Sequence, residues 1–135
     1  MRRLFLAVAL CWPAAARAAE TAAFLKIGVG ARPIAMGSAY TAIADDVSAI
    51  AWNPAGLARL SRRELGAMHA EMFAGLRYDF VGFAAPTRFG ALGFSANTLT
   101  QPSLEGRDAA GRPMGGFEAS DRAFGVAFAR KAAGS

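Results

Sequence analysis

The chain has 135 residues and a formal net charge of +5, and Cys11 is its one cysteine. At this length it holds at most one domain, and a single cysteine excludes an internal disulfide and a cysteine-rich metal site. Beyond Arg62-Arg63 the positive charge forms no basic cluster, so nucleic acid is not an expected partner.

Residues 1–19 are predicted to be a secretory signal peptide. Arg2 and Arg3 give a charged start, residues 4–12 are apolar, and Ala16-Arg17-Ala18 matches the small-residue pattern of a cleavage site. The apolar run is too short for a transmembrane helix, which needs about 20 residues. Cleavage after Ala18 or Ala19 removes three of the fifteen basic residues and leaves twelve against ten acidic ones, so part of the positive charge serves export.

Residues 20–62 are predicted to form a partly helical segment ahead of the strands. Residues 24–27 can form a short strand. Pro54 disfavours helical geometry at Asn53 and fits the first turn of a new helix that Asn53 caps, and Gly56 is expected to allow a tight exit. Several apolar residues recur at three- and four-residue steps, as on one face of a helix; they are Ala39, Ala42, Ile43, Val47 and Ile50.

From Glu64 onward the pattern has a period of two, which predicts four strands. The expected strands are residues 64–73, 77–83, 91–97 and 122–130. The expected connections are a turn at Gly75, a turn over residues 86–90 and a long polar loop over residues 101–120. The alternation is typical of a transmembrane β-barrel, and also of a water-soluble antiparallel sheet with one buried face.

One face of these strands is expected to meet lipid and the other to face the lumen. The residues assigned to lipid are Met68, Met72, Tyr78, Phe80, Leu92, Phe94, Phe124, Val126 and Phe128. The polar residues assigned to the lumen are His69, Glu71, Arg77, Asp79, Ser95 and Asn97. Small residues on the lumen face, Ala67, Gly93 and Gly125, would leave room for a helix against the wall.

No arrangement of side chains in the sequence predicts an enzyme, a metal site or a cofactor. His69 and Glu71 share a strand face, but zinc needs at least three ligands. Adjacent carboxylates on a helix point about 100° apart, so Asp45 and Asp46 are expected to be solvated or paired with a lumen base such as Arg77. No serine lies in a G-x-S-x-G context.

The glycines near the start do not predict a nucleotide site either. Gly28 and Gly30 begin a G-x-G pattern, but Pro33 holds the position of the third glycine. A proline donates no backbone N–H to a phosphate. Backbone turning and close packing are the expected roles of these glycines.

Several short motifs, in the same order and spacing, resemble the N-terminal signature of the PorV/PorQ family. They are Lys26-Ile-Gly-Val-Gly-Ala-Arg32, Met36-Gly-Ser-Ala-Tyr-Thr-Ala-Ile-Ala-Asp-Asp46, Trp52-Asn-Pro-Ala-Gly-Leu-Ala58, His69-Ala-Glu71 and Arg77-Tyr-Asp-Phe80. The resemblance covers roughly residues 20–100. It implies an outer-membrane β-barrel similar to the FadL transporters of hydrophobic compounds, located in the outer membrane of a Gram-negative bacterium.

The resemblance also implies a barrel of many more strands than four, so the chain is interpreted as its N-terminal part or as a truncated product. The expected fold is mainly β: a signal peptide (1–19), a plug-like helical segment (20–62) and the first barrel strands (63–131). Residues 36–60 are expected inside or across the periplasmic mouth, because the link to the first strand is short. The plug and its turn are assigned to Asp45, Asp46, Trp52, Asn53, Pro54 and Gly56.

Three functions remain open at this point. The resemblance to the PorV/PorQ family implies a scaffold, docking or shuttle component for protein export, whose partners are outer-membrane lipid and secretion-system components. The alternative is a FadL-like transporter that takes apolar small molecules across the outer membrane. A water-soluble periplasmic sheet domain is the third.

Overall fold

A computed structural model describes residues 22–131, so the predicted signal peptide lies outside the described residues. The described part is mainly β, as expected: four antiparallel strands form one sheet in which each strand pairs with its neighbour in sequence. The strands are β1 (Glu64–Glu71), β2 (Arg77–Thr87), β3 (Gly90–Arg107) and β4 (Pro113–Ala129). The predicted turn near Gly75 is confirmed, and the turn predicted over residues 86–90 is present but shorter, with only Arg88 and Phe89 between the strands.

The predicted long loop over residues 101–120 is wrong, because β3 and β4 continue through it as a paired hairpin. Leu104 lies opposite Phe117, and two irregularities in register absorb the unmatched residues. The hairpin turns over residues 108–112, where the Asp108 carboxylate accepts two backbone hydrogen bonds of 2.8 Å. A side chain that organises the turn allows a stretch rich in glycine and proline to pair.

Residues 22–60, called the N-terminal block from here on, contain short helices joined by turns. The α-helices are α1 (Ala31–Ala35) and α2 (Ala49–Trp52), and the 3₁₀ helices are Ala23–Lys26 and Pro54–Arg59. The predicted strand at residues 24–27 is therefore wrong. Within residues 22–131, no helix is both long and apolar enough to cross a membrane.

The predicted helical face between residues 39 and 50 is also wrong. Residues 39–43 form turns, and the helix α2 begins only at Ala49. Ile43 is 38% exposed, whereas the neighbouring Ala44 is fully buried. Turn geometry, and not a helical repeat, decides which of these residues point inward.

The N-terminal block packs against one face of the sheet, called the inner face from here on. Tyr40, Ala44, Ala49 and Leu57 of the block are fully buried in one core cluster with alanines of the strands. These alanines are Ala84, Ala91, Ala127 and Ala129. A second cluster joins Phe24 and Val29 to the strand residues Tyr78 and Phe80. The opposite face of the sheet, the outer face, carries no part of the described chain.

The residues expected to share the lipid face are divided between the two faces. Tyr78 lies opposite Leu99 and Phe83 opposite Phe94, so Tyr78 and Phe94 point to opposite sides. Met68, Tyr78 and Phe80 lie on the inner face beneath the block, which corrects their assignment to lipid. Leu92, Phe94, Phe124, Val126 and Phe128 lie on the outer face, and Met72 follows the end of β1. The assignment placed the larger side chains of every strand on one common face. This was wrong because only the pairing register shows which side of one strand continues the same face on the next.

Candidate functional site

A row of small residues crosses the inner face, with one residue from each strand. Gly66 lies opposite Gly82, Gly82 opposite Ser95, and Ser95 opposite Gly125. We call these four residues the small-residue row. Because three of them have no side chain, the row forms a shallow groove across the sheet, into which side chains of the N-terminal block can reach.

Val47 and Ile50 of the block occupy this groove. A Cβ atom added at Gly66 would lie 2.6 Å from Cγ1 of Val47, and one added at Gly82 would lie 3.1 Å from Cγ2 of Val47. Gly93, in the adjacent row, is equally close to Ile50, at 2.8 Å from its Cγ1. Glycine is therefore required where the block meets the sheet, because even a methyl group would displace it.

The motif Asn53-Pro54-Ala55-Gly56 joins α2 to the 3₁₀ helix Pro54–Arg59. Asn53 accepts a hydrogen bond of 3.2 Å from the Ala55 N–H, and its Nδ2 donates to the Thr41 carbonyl oxygen at 2.9 Å. The predicted Asn53 cap with Pro54 in the first turn is confirmed. Gly56 is buried against the Ala44 carbonyl group, and a Cβ atom would overlap that oxygen. Close approach of two backbone segments, and not a turn, explains this glycine.

Trp52 holds three segments of the block together. Its Nε1–H donates a hydrogen bond of 2.8 Å to the Val29 carbonyl oxygen. Its ring packs edge-to-face against Tyr40, with 6.3 Å between the centroids and 76° between the planes. The residues predicted to form the plug and its turn are thus brought together in one packed unit.

Asp45 and Asp46 bind Arg32 instead of the expected Arg77. Arg32 Nη1 lies 2.8 Å from Asp45 Oδ1 and 3.7 Å from Asp46 Oδ2. The guanidinium group also lies 5.3 Å from the centroid of the Tyr40 ring. Arg77 belongs to the outer face and cannot reach the block, so the expected pairing is wrong. Nothing in the local pattern relates Arg32 to Asp45, since thirteen positions separate them.

The surroundings of Asp46 stabilise its charged form. Burial opposes ionisation, but hydrogen bonds from Ser48 and Tyr40 and the charge of Arg32 outweigh it and lower the Asp46 pKa. The Ser48 backbone N–H donates to Asp46 Oδ1 at 2.8 Å, and the Ser48 hydroxyl donates to the same oxygen. Burial, together with the hydrogen bond to Asp46, raises the Tyr40 pKa. The carboxylates therefore stabilise the turn that leads into α2.

The six polar residues assigned to the lumen do not lie on one face. Ser95 and Asn97 lie on the inner face, whereas the other four, His69, Glu71, Arg77 and Asp79, lie on the outer face. His69 is opposite Asp79, with 2.7 Å between Nδ1 and Oδ1, and Glu71 is opposite Arg77. A single lumen cannot be lined by both sets. Within residues 22–131, no three His, Asp or Glu side chains are close enough to hold a metal ion.

The outer face carries three consecutive apolar rows, called the apolar band from here on. Phe124 is 84% exposed and Val126 75% exposed. From the first row to the third, the members are Ala85, Leu92 and Phe128, then Leu65, Phe83, Phe94 and Val126, then Ala67, Val81, Ala96 and Phe124. The His69–Asp79 row follows immediately. An exposed apolar area of this kind marks an interaction surface.

A groove of about 470 Å³ runs along the free edge of β4, beneath the N-terminal block. Its walls include Ile50 and Pro54 of the block and Gly125 and Ala127 of β4. The Oδ1 atom of Asn97, which also lines the groove, is buried and has no hydrogen-bond partner among the described residues. Sequence reasoning missed this groove, because it arises where the block overhangs the last strand.

Comparison with known proteins identifies a family without assigning an activity. No match to the chain was found among the curated proteins or the solved structures. Residues 14–128 match the family described as Uncharacterised protein family (UPF0164). This match spans the N-terminal block and nearly all of the four strands, and the chain therefore belongs to the UPF0164 family.

Proposed function

We propose that this sheet is part of the wall of an outer-membrane β-barrel that serves as a docking or scaffold component for protein export. The observation that carries the proposal is the contrast between the two faces: the outer face presents a bare apolar band, and the inner face is covered by the N-terminal block. An apolar exterior with material inside the wall is the arrangement of a plugged membrane barrel.

The free edges of β1 and β4 support closure by further strands. Every backbone N–H and C=O in a bilayer needs a partner within protein, so an open sheet is not stable there. The described strands leave one edge of β1 and one edge of β4 unpaired. In the proposed barrel, additional strands, whichever chain supplies them, pair with these two edges.

The size of the block argues for a wide barrel. A barrel of about eight strands has an interior just large enough for side chains. Here residues 22–60 lie against the inner face of four strands. A wall that carries a packed unit of this size needs a larger circumference, which agrees with the barrel type implied by the PorV/PorQ resemblance.

The height of the apolar band sets where the membrane would lie. Three rows at two-residue spacing cover about 14 Å along a strand, or about 10 Å in height at a strand tilt of about 40°, against roughly 25 Å for a typical barrel belt. The row formed by His69 and Asp79 would then lie at headgroup level. The bacterial outer membrane is thinner than average, and local thinning of the bilayer accommodates a short belt.

The contacts of the block favour docking over transport. The glycines under Val47 and Ile50 fix the block to the strands by close packing. The Val47 N–H also donates a hydrogen bond to Glu64, and the Gly30 N–H donates one to Met68 Sδ. A transport plug must move to admit substrate.

The groove along β4, lined in part by Leu25 and Ile50, favours the alternative, a FadL-like transporter of apolar compounds.

A reducible cross-link between the block and the wall separates the two functions. Ile50 Cγ2 lies 4.0 Å from the position of a Cβ atom at Gly125, so Ile50→Cys with Gly125→Cys is within reach of a short methanethiosulfonate cross-linker that joins the two thiols through reducible disulfides. Cells that lack the gene would be complemented with the wild type or the locked variant. Surface-displayed proteins and uptake of labelled oleate would be measured, with reductant as the matched control.

Docking predicts that deletion alters the surface proteins and leaves oleate uptake unchanged, and that the locked variant restores the wild-type pattern. If deletion abolishes oleate uptake, and the locked variant recovers it only in reductant, the docking function is contradicted and transport is supported.

A further inference from the structure

One end of the sheet collects cationic side chains from three separate segments. These segments are residues 59–64, the connection from β2 to β3, and the residues that follow β4. Together they contribute six cations and one carboxylate; the cations are Arg59, Arg62, Arg63, Arg88, Arg130 and Lys131. The carboxylate, Glu64, is engaged, because it accepts a hydrogen bond of 3.0 Å from the Val47 N–H and lies 3.6 Å from Arg62. We call this region the basic end.

Three of the cations line one open groove at the basic end. Arg88, Arg130 and Lys131 surround a space of about 350 Å³, together with Leu60 and Phe89. The register explains this, because Ala129 lies opposite Ala91 and the two residues after it continue alongside the turn. The Arg88 guanidinium lies 4.6 Å from the centroid of the Phe89 ring, which is 64% exposed.

The opposite end of the sheet has a different charge balance. Residues 69–79 and 98–122 contain six carboxylates and four arginines. Several of these charges are paired locally, such as Arg107 with Glu105 and Arg112 with Asp108. Concentrated positive charge is therefore a property of one end of the strands only.

We propose that the basic end binds the phosphate groups of anionic phospholipids at the membrane surface nearest the N-terminal block. The first row of the apolar band, which includes Leu92 and Phe128, lies next to this groove along the strands. A sheet whose apolar band enters the bilayer therefore brings Arg88, Arg130 and Lys131 to headgroup level. Phe89, an exposed ring beside these cations, is suited to the boundary between acyl chains and headgroups. The inference rests on the proposed function, because the apolar band must meet lipid.

Partitioning of the full chain into lipid vesicles tests this inference. One set of vesicles is phosphatidylcholine, and the other contains phosphatidylcholine and phosphatidylglycerol at 3:1. Each basic side chain near an anionic surface strengthens binding roughly fivefold. The variant Arg88→Gln, Arg130→Gln, Lys131→Gln should therefore bind anionic vesicles roughly a hundredfold more weakly than the wild type at low salt, with unchanged binding to phosphatidylcholine.

Two controls separate a local site from net charge and from misfolding. Arg77→Gln, Arg107→Gln, Arg122→Gln removes the same charge from the opposite end and should retain the preference for anionic vesicles. Arg88→Lys with Arg130→Lys keeps the charge and should also retain it. Circular dichroism should show the same β-sheet content in every variant, because all the substituted side chains are exposed or at the rim.

Each other outcome has a defined meaning. If the wild type binds both vesicles equally, or if both glutamine variants lose affinity alike, the inference is overturned while the proposed function stands. If 10 mM inorganic phosphate at matched ionic strength removes the preference, the groove binds a free anion and not a lipid surface. If the chain binds neither vesicle, the inference is overturned, whereas the proposed function stands, because the barrel it requires is closed by further strands.

Discussion

Successive residues of the same four strands point to opposite faces of the sheet, yet the side chains of the two faces differ in what surrounds them. On the inner face, Gly66, Gly82 and Gly93 leave space for apolar side chains of the N-terminal block, so the available space decides which residues are tolerated. On the outer face, Phe124 and Val126 are 84% and 75% exposed, so the medium around the protein decides which residues are tolerated. One face is specified by packing within the chain, and the other, in the proposed barrel, by lipid.

The largest expected effect comes from placing a charge in the apolar band. Phe94→Arg should lower stability in lipid vesicles by about 2–4 kcal/mol, because an arginine near the bilayer midplane loses hydration. Thr98→Arg, on the same strand and face but in the first polar row, is the matched control and should cost less than about 1 kcal/mol. Urea titration of vesicle-reconstituted protein measures both, and equal costs would contradict a lipid-facing band.

Inside the block, Gly56→Ala should destabilise by roughly 3 kcal/mol, at the upper end of overpacking costs, because the new methyl group meets a backbone carbonyl that cannot rotate away. Gly28→Ala is the control, since the nearest atoms lie at an ordinary 3.4 Å. Trp52 fluorescence during urea unfolding reports on the block. A neutral Gly56→Ala would show that the block is not packed as described.

The contact across the small-residue row can be isolated by a double-mutant cycle. Gly66→Ala should cost about 2 kcal/mol through its clash with Val47. In a Val47→Ala background the same change should cost little, which gives a coupling energy of 1 kcal/mol or more, by the usual range for contacting residues. Additive effects in the same unfolding assay would mean that Val47 does not lie over Gly66.

The smallest effect concerns the cap at the start of the 3₁₀ helix. Asn53→Ala should cost about 1 kcal/mol, because it removes the acceptor for the Ala55 N–H and the donor to Thr41. Asn53→Ser is the matched control. Because serine keeps a capping acceptor, this variant should lose less stability than Asn53→Ala. Both are measured by the shift in the urea midpoint, and identical shifts for the two variants would argue against the cap.

Features set by neighbouring residues could be predicted from the sequence, and features set by distant pairing could not. The Asn53-Pro54 turn and the existence of four strands follow from local chemistry and period, whereas the lengths of β3 and β4 do not. The shared face of Tyr78 and Leu99 depends on register, which no single strand reveals. The pairing of Arg32 with Asp45 likewise depends on how turns fold back within the block.

The β3–β4 hairpin and the basic end illustrate the same limit. Glycines and prolines over residues 101–120 indicate a loop by composition, but Asp108 at the turn and the register shifts let the strands continue. Arg88 and Arg130 are far apart in sequence and line one groove only because β2, β3 and β4 pair. A single sequence gives the residues of such a site, but it does not show which of them lie next to one another in the fold.

The most direct test of the contrast between the faces compares two adjacent residues of β4 in reconstituted membranes. Phe124→Cys and Ala123→Cys, each in a Cys11→Ser background, would be labelled with an environment-sensitive fluorophore and quenched with brominated lipid. The account predicts strong quenching at position 124, on the outer face, and weak quenching at position 123, on the inner face. Equal quenching at both positions, or stronger quenching at 123, would contradict it.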